Sequence, residues 1–199
     1  MNFTSVSGKN WIFKKFSSDD VRTYSENYNL SEIVAKLISI RKKNINNIEL
    51  YLNPKIKNFI SNPLNLKDMD NAVSRVYQCI VKNDLIGIFG DYDVDGATST
   101  ALLSKYFISL KQKIKTYIPD RKKEGYGPSV SGFNNLIDNG VKIIITVDCG
   151  TLSFEPIKVA QSKKIDVIVL DHHQSDINLP NACAIVNPNR YDEKSNLSY

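Results

Sequence analysis

The chain has 199 residues, 42% of them hydrophobic and 24% charged, with a formal net charge of +5. These proportions are ordinary for a soluble globular protein and allow one domain with a real core, or two very small ones. No run approaches the roughly 18 uncharged apolar residues of a membrane span. Met1-Asn2-Phe3-Thr4-Ser5 carries no basic-then-apolar secretory signal. Cys79, Cys149 and Cys183 are odd in number and far apart, which argues against a disulfide framework or a zinc knuckle and for a reducing, cytoplasmic compartment without a membrane partner.

The charge is uneven. Residues 1–84 hold 13 Lys/Arg against 8 Asp/Glu, and residues 85–199 hold 13 against 13. The excess lies in the first segment, at Lys14-Lys15 and Arg41-Lys42-Lys43. Such clusters suit a solvated helical surface or attraction of a polyanion.

Residues 30–43 place Leu30, Ile33, Val34, Leu37 and Ile38 on one face of a predicted amphipathic helix, with Ser31 or a neighbour as its cap. Asn53-Pro54 and Asn62-Pro63 mark turns. A second helix is predicted over residues 68–81, with Ala72, Val73, Val76, Tyr77 and Ile80 on one face. Residues 1–84 thus form a basic, mainly helical amino-terminal segment, expected to pack on the domain that follows.

From Leu85 the rhythm becomes strand, helix, strand. Strands are predicted near 85–89, 114–118, 142–147, 166–170 and 183–186, with helices near 97–110, 129–138 and 153–163. Short runs apolar on both faces and alternating with helices indicate an α/β fold, a parallel sheet flanked by helices. The polar stretch over residues 187–199 leaves the last strand without a covering helix, so the domain over 85–199 is expected to be incomplete at its carboxyl end.

Ligands of such sheets bind beyond the carboxyl ends of the strands, and the reactive residues cluster there. Leu85-Ile86-Gly87-Ile88-Phe89 runs into Gly90-Asp91-Tyr92-Asp93-Val94-Asp95-Gly96. Three neighbouring carboxylates are costly unless something cationic neutralises them, commonly a hard divalent metal. An EF-hand would need a bidentate Glu at its twelfth position, which is Leu102, so calcium of that type is excluded. A helix start capped by Asp95 would account for one aspartate of the three. No dinucleotide or P-loop glycine pattern is present.

Two further strand tips repeat the arrangement. Ile143-Ile144-Ile145-Thr146-Val147 ends in Asp148-Cys149-Gly150, and Val167-Ile168-Val169-Leu170 ends in Asp171-His172-His173. Cys149 follows a buried strand and suits inert core better than a nucleophile. Adjacent residues at a strand tip point to opposite faces, so one histidine can ligate metal while the other faces substrate or a carboxylate. Aspartate-rich ligation with one imidazole favours Mn²⁺ or Mg²⁺ over zinc, and two such ions suit phosphoester hydrolysis. In the basic loop Pro119-Asp120-Arg121-Lys122-Lys123-Glu124-Gly125-Tyr126-Gly127, Arg121 suits a phosphate, Tyr126 a stacked base, and Gly127 close approach of backbone to ligand.

These four segments together resemble the first four motifs of the DHH phosphoesterases, and within that superfamily the RecJ-type exonucleases, bacterial enzymes that degrade single-stranded DNA from 5′ to 3′. The likeness extends to Trp11, Leu52-Asn53-Pro54, Asn62-Pro63-Leu64, Lys67-Asp68-Met69 and Ala184-Ile185-Val186-Asn187-Pro188. It implies two bound ions, Mn²⁺ or Mg²⁺, with Asp93, Asp95, Asp148 and His172 as ligands, Asp148 bridging and Asp91 assisting. It further implies that His173 faces the scissile phosphate and Asp171 orients the histidine pair, in a DNA repair and recombination enzyme. Single-stranded DNA is the implied partner, with a helicase or a single-strand-binding protein beside it. Phe89 stands where many DHH members have His, as in RecJ-like sequences. The family adds another ligand aspartate, a second domain and an OB-fold, none of which fits after Leu170, so the amino-terminal part of a longer enzyme is expected. Two other functions remain open, a small-molecule DHH phosphatase (for nano-RNA, cyclic dinucleotide or pyrophosphate) and an inactive DHH module that binds nucleic acid.

Overall fold

The structure is a computed structural model that describes residues 3–12, 14–41 and 47–197. It divides into two compact units, Met1–Ser61 and Asn62–Tyr199. Lys42 and Lys43 of the basic cluster lie outside the described residues.

In the first unit, β1 (Phe3–Thr4) pairs antiparallel with β2 (Asn10–Trp11). The helices are α1 (Ser18–Tyr28), α2 (Glu32–Arg41), α3 (Ile48–Leu52) and α4 (Ile56–Phe59). The Ser17 side chain accepts from the Asp20 N–H to cap α1, and Asn29 ends it at a φ of 50°, a left-handed turn that Asn tolerates. The small core is Val21, Tyr24, Ala35 and Ile38. The face predicted for α2 is therefore displaced. Ala35 and Ile38 are buried, whereas Ile33 and Leu37 are exposed, because α2 packs on α1, a helix the periodicity alone did not reveal.

The second unit opens with a 3-10 turn, Pro63–Asn65, and α5 (Met69–Lys82). Then follow β3 (Ile86–Gly90), α6 (Val94–Ser109), β4 (Ile114–Tyr117), α7 (Val130–Asp138), β5 (Ile143–Val147), α8 (Phe154–Ser162), β6 (Asp166–Leu170) and β7 (Ala184–Val186). The strands form one parallel sheet in the order β4-β3-β5-β6-β7. Parallel strands with helices on both faces bury both sides, which is why β3 and β5, apolar but for Thr146, are buried at every residue. Ile86, Ile88, Ile143, Ile145 and Ile168 face α5 and α6, while Phe89, Ile144, Val167 and Val169 face α7 and α8. On α5, Ala72 is buried but Val73 and Tyr77 of the predicted face are exposed.

The edge strand β7 is closed by a strap. Asp68, at a φ of 64°, accepts from the Ile185 N–H at 3.2 Å and from Arg190 Nη1 at 2.7 Å. The Arg190 side chain is buried and also donates to Asp192 at 2.6 Å, which pairs in turn with Lys67. These arrangements block further pairing along β7. The Lys67 and Arg190 hydrogen bonds hold the Asp192 carboxyl down at about 2. A carboxylate depressed in the folded state adds stability above its unfolded value of 3.8 and loses it as pH falls toward 2. Urea unfolding at a series of pH values is therefore expected to show the chain more stable than its Asp192→Asn variant at pH 6, with the difference gone by about pH 2. A gap independent of pH would count against the ion pair.

Candidate metal centre

Strand register alone lines up the site. Gly90 is opposite Val147, Val147 opposite Leu170, and Leu170 opposite Val186. The residue after each partner, Asp91, Asp148, Asp171 and Asn187, thus stands in a row across four neighbouring tips. The chain order changes direction between β3 and β5, the switch point where open α/β sheets form their ligand crevice.

Asp93 begins α6. Its Oδ1 accepts from the Gly96 N–H at 2.9 Å, so the cap is Asp93 and Asp95 sits in the first helical turn. A carboxylate at a helix N-terminus is favoured by unpaired N–H groups and the helix dipole. Asp95 lines an open cleft of about 540 Å³ together with Ser99, Asp148 and His172. Asp91 is fully buried and turns elsewhere, its Oδ1 accepting from the Tyr92 N–H at 2.6 Å and its Oδ2 from the Gly127 N–H at 3.2 Å. Burial pushes its carboxyl above the ordinary range, partly offset by the Tyr92 N–H. Asp91 and Gly127 together tie the basic loop to the β3 tip.

Asp148 is 8% exposed at a φ of 60°. Its Oδ1 lies 3.0 Å from His172 Nε2, and its Oδ2 is buried without a hydrogen-bond partner. Burial, then the neighbouring Asp93 charge and a hydrogen bond with it, pushes the Asp148 carboxyl up, against the pull of the histidines. Asp148, His172 and His173 each offer a ligand atom within 4.8 Å of the others. A buried lone pair with no donor, facing further carboxylates and an imidazole, fits a divalent cation.

Asp171 organises the histidine tip. Its Oδ1 accepts from the N–H groups of His172 at 2.7 Å and His173 at 3.1 Å, and lies 2.7 Å from His173 Nδ1. Its Oδ2 accepts from the Thr151 N–H at 2.9 Å. Burial alone would raise this carboxyl, but the bonds from Thr151 and His173 outweigh it and hold it low. Burial likewise opposes the His173 cation, and the Asp171 bond overrides it. Because a carboxylate only accepts, His173 Nδ1 carries a proton toward Asp171.

His173 Nε2 is 2.8 Å from the Tyr126 hydroxyl. Burial and the nearby carboxylates, Asp91 and Asp148 foremost, push that phenol up to about 12, so it stays protonated. Tyr126 meets Tyr92 edge to face at 5.8 Å, and the Arg121 guanidinium lies over the Tyr92 ring at 5.3 Å. Arg121 and Tyr126 thus reach one rim of the site, and the Gly127 N–H is engaged by Asp91. A second cavity of about 250 Å³ lies on the far side of His173, lined by Tyr126, Cys149, Gly150, Thr151, Ser153 and Gln174 among others. Cys149 is buried and its thiol is pushed well above the usual range, the state of an inert core thiol.

Several supporting residues were not legible as such. Glu124 accepts from Tyr117 Oη at 2.6 Å and the Asp120 N–H at 2.8 Å, closing the basic loop on itself. Thr151, Asn187 and Asn189 bind the histidine tip. Asn187-Pro188 stood out in the sequence only as part of a resemblance, with no role attached.

Residues 85–198 match the DHH family, N-terminal domain. The single-stranded-DNA-specific exonuclease RecJ of Bacillus subtilis is 36% identical over 179 residues, covering 89% of this chain and 23% of that protein. RecJ of Escherichia coli is 39% identical over 128 residues, 64% of this chain and 22% of that one. This chain thus spans about a quarter of the length of these relatives. A crystal structure of exonuclease RecJ bound to manganese superposes with a TM-score of 0.62 at 27% identity, over 68% of this chain and 34% of that one. RecJ from Thermus thermophilus, in complex with Mn²⁺, gives a TM-score of 0.66 at 21% identity, over 92% of this chain and 25% of that one, and shares the fold. The expected parallel sheet flanked by helices is the one these RecJ structures show, and among the described residues no helix is long and apolar enough to cross a membrane. Family match, sheet and clustered tips agree, and the chain belongs to the DHH family.

Proposed function

We propose that this chain is the metal-binding, amino-terminal part of a hydrolase that removes nucleotides from the 5′ end of single-stranded DNA in repair and recombination. The observation that carries the reading is the Asp148-His172-His173 cluster with its unpartnered Asp148 Oδ2, in a chain similar to manganese-bound RecJ. Asp93, Asp95, Asp148 and His172 would hold two ions, Mn²⁺ or Mg²⁺, with Asp148 shared. Asp91, expected to assist, has both carboxylate oxygens taken by the Tyr92 and Gly127 N–H groups and holds the loop instead. When bound, such ions supply Lewis acidity toward a phosphate and a water activated for attack at neutral pH.

The chain's own side chains do the rest. Asp171 fixes His173 Nδ1 as a donor and aims Nε2 outward, where the Tyr126 hydroxyl holds it, and once protonated Nε2 can donate to a phosphate oxygen instead. Arg121 is exposed and free to leave the Tyr92 face for a phosphate, while Tyr126 offers an aromatic edge to a terminal base. Gly127 has a φ of 77°, open to glycine, and brings backbone to the rim without a side chain in the way. The basic segment 1–84 would attract the strand that the acidic strand-tip centre of residues 85–199 cuts. A helicase or a single-strand-binding protein would deliver the strand, in the reducing cytoplasm that three unpaired cysteines suit.

The test gives the chain, and the longer protein containing it, a 5′-labelled single-stranded oligonucleotide, dinucleotides and pyrophosphate, each with Mn²⁺. Labelled mononucleotide as the first product is expected from the longer protein. Hydrolysis of dinucleotide or pyrophosphate with the oligonucleotide intact would replace the reading by a small-molecule phosphatase, and no Mn²⁺ binding by the chain would remove the metal assignment.

A further inference from the structure

The histidine tip is held at every backbone polar group. Asp171 Oδ1 takes the N–H groups of His172 and His173. The two carbonyls are taken from the opposite side by residues just beyond β7. Asn187 Nδ2 donates to the His173 carbonyl at 2.9 Å and to Thr151 Oγ1 at 2.8 Å, and Asn189 Nδ2 donates to the His172 carbonyl. Asn187 Oδ1 accepts from the Asn189 N–H at 2.8 Å, so one amide orders the other. Asn187 has no exposed surface and Thr151 almost none. A buried amide with its donors and acceptor all engaged is expensive to replace, because truncation strands several partners at once.

The placement follows from register and from the strap. Val186 pairs with Leu170, so Asn187 stands beside Asp171. Pro188 follows, and Arg190 anchors the strap two residues further through Asp68 and the Ile185 carbonyl. Asn187 is thereby pinned between a paired strand and a buried ion pair. Its donor group reaches two loops, the one after β5 that carries Asp148 and the one after β6 that carries His172 and His173.

We propose that Asn187 is a positioning residue of the metal centre, a clamp that sets the distance between the Asp148 loop and the His172-His173 tip, assisted by Asn189 and Thr151. The inference rests on the metal reading above and adds a residue that touches none of the proposed ligand atoms. Its effect on a metal is through the orientation of ligands, where outer partners commonly change affinity about 10–100-fold.

The experiment uses the 199-residue chain. Mn²⁺ affinity is measured by calorimetry, and amide hydrogen exchange is followed in the metal-free protein, for the parent, Asn187→Leu, Thr151→Val and the double variant. Asn187→Leu keeps the branching and heavy-atom count of the side chain, with bulkier methyl groups, and removes every side-chain hydrogen bond. It is expected to weaken Mn²⁺ binding about tenfold and to speed exchange of the His172 and His173 amides about tenfold, while amides of Ile145 and Val169 keep their rates. Thr151→Val is expected to shift both readouts the same way by less, and the double variant to add little to Asn187→Leu, since both cut one bond. Unchanged affinity and unchanged exchange at the tip, even with a lowered melting temperature, would overturn the proposal and leave Asn187 as fold support alone. If the parent binds no Mn²⁺, the metal reading fails, and so does the clamp as part of a metal centre. If Asn187→Leu does not fold, Thr151→Val decides by the same two measurements.

Discussion

Replacing Asp148 by asparagine is expected to abolish Mn²⁺ binding and to stabilise the metal-free chain at the same time. The two effects have one cause. Asp148 Oδ2 is buried with no donor, and burial and the Asp93 carboxylate both disfavour its charge. Asparagine removes the charge, supplies a donor to Asp93, and tolerates the left-handed backbone that Asp148 adopts at a φ of 60°. Relief of one unpaired buried group amounts to about 1 kcal/mol. The sign follows from linkage. A carboxyl raised in the folded state costs stability once pH passes its unfolded value, so the gain from Asp148→Asn should be present at pH 7 and vanish in acid. Calorimetric titration with Mn²⁺ and urea unfolding in a chelating buffer measure the two effects. A variant that binds Mn²⁺ as the parent does would remove Asp148 from the metal set, and one less stable than the parent without metal would contradict the electrostatic account.

Gly96→Ala is expected to cost about 3 kcal/mol, near the upper end for overpacking. A Cβ at Gly96 would lie 2.4 Å from the Asp91 carbonyl oxygen and 2.6 Å from the Asp91 nitrogen. These are backbone atoms in a fully buried residue, so the clash cannot be relieved by a rotamer. The start of α6 must lift from the β3 tip, which breaks the Gly96 N–H bond to Asp93 Oδ1 and moves Asp93 and Asp95 away from Asp148. Loss of stability in urea and weaker Mn²⁺ binding should therefore occur together. An alanine variant as stable as the parent would show that α6 has room the present packing denies.

The parallel sheet was legible because four of its five strands are short, mainly apolar runs bounded by turn residues, the edge strand β4 (Ile-Lys-Thr-Tyr) being the exception, and because helices fit between them. Strand limits differ from expectation by one residue at most, as with β3 at Ile86–Gly90. The first unit was harder. α1 carries only Val21 and Tyr24 to its core, too few to mark a period, and without α1 the buried face of α2 could not be assigned. At the site, aspartates and histidines at strand tips were visible as chemistry, but their separate duties were not. Asp91 and Asp95 belong to one short segment, yet one is sealed against Gly127 and the other faces an open cleft. Glycine at 96 decides this by letting α6 sit directly on the Asp91 backbone.

Composition and local pattern determined the kind of fold, the tips where ligands gather and the charge character of the metal-type residues, since hydrophobic periodicity and anion clustering are local properties. Tertiary structure decided which tips meet. The order β4-β3-β5-β6-β7 and its register bring Asp91, Asp148, Asp171 and Asn187, spread over 97 positions of the chain, into one row. Asn187 has no charge and no reactive atom, so nothing in the sequence marks it by chemistry. Its weight comes from complete burial and from three hydrogen bonds to residues far away in the chain or across a turn, and those exist only once the strands have paired.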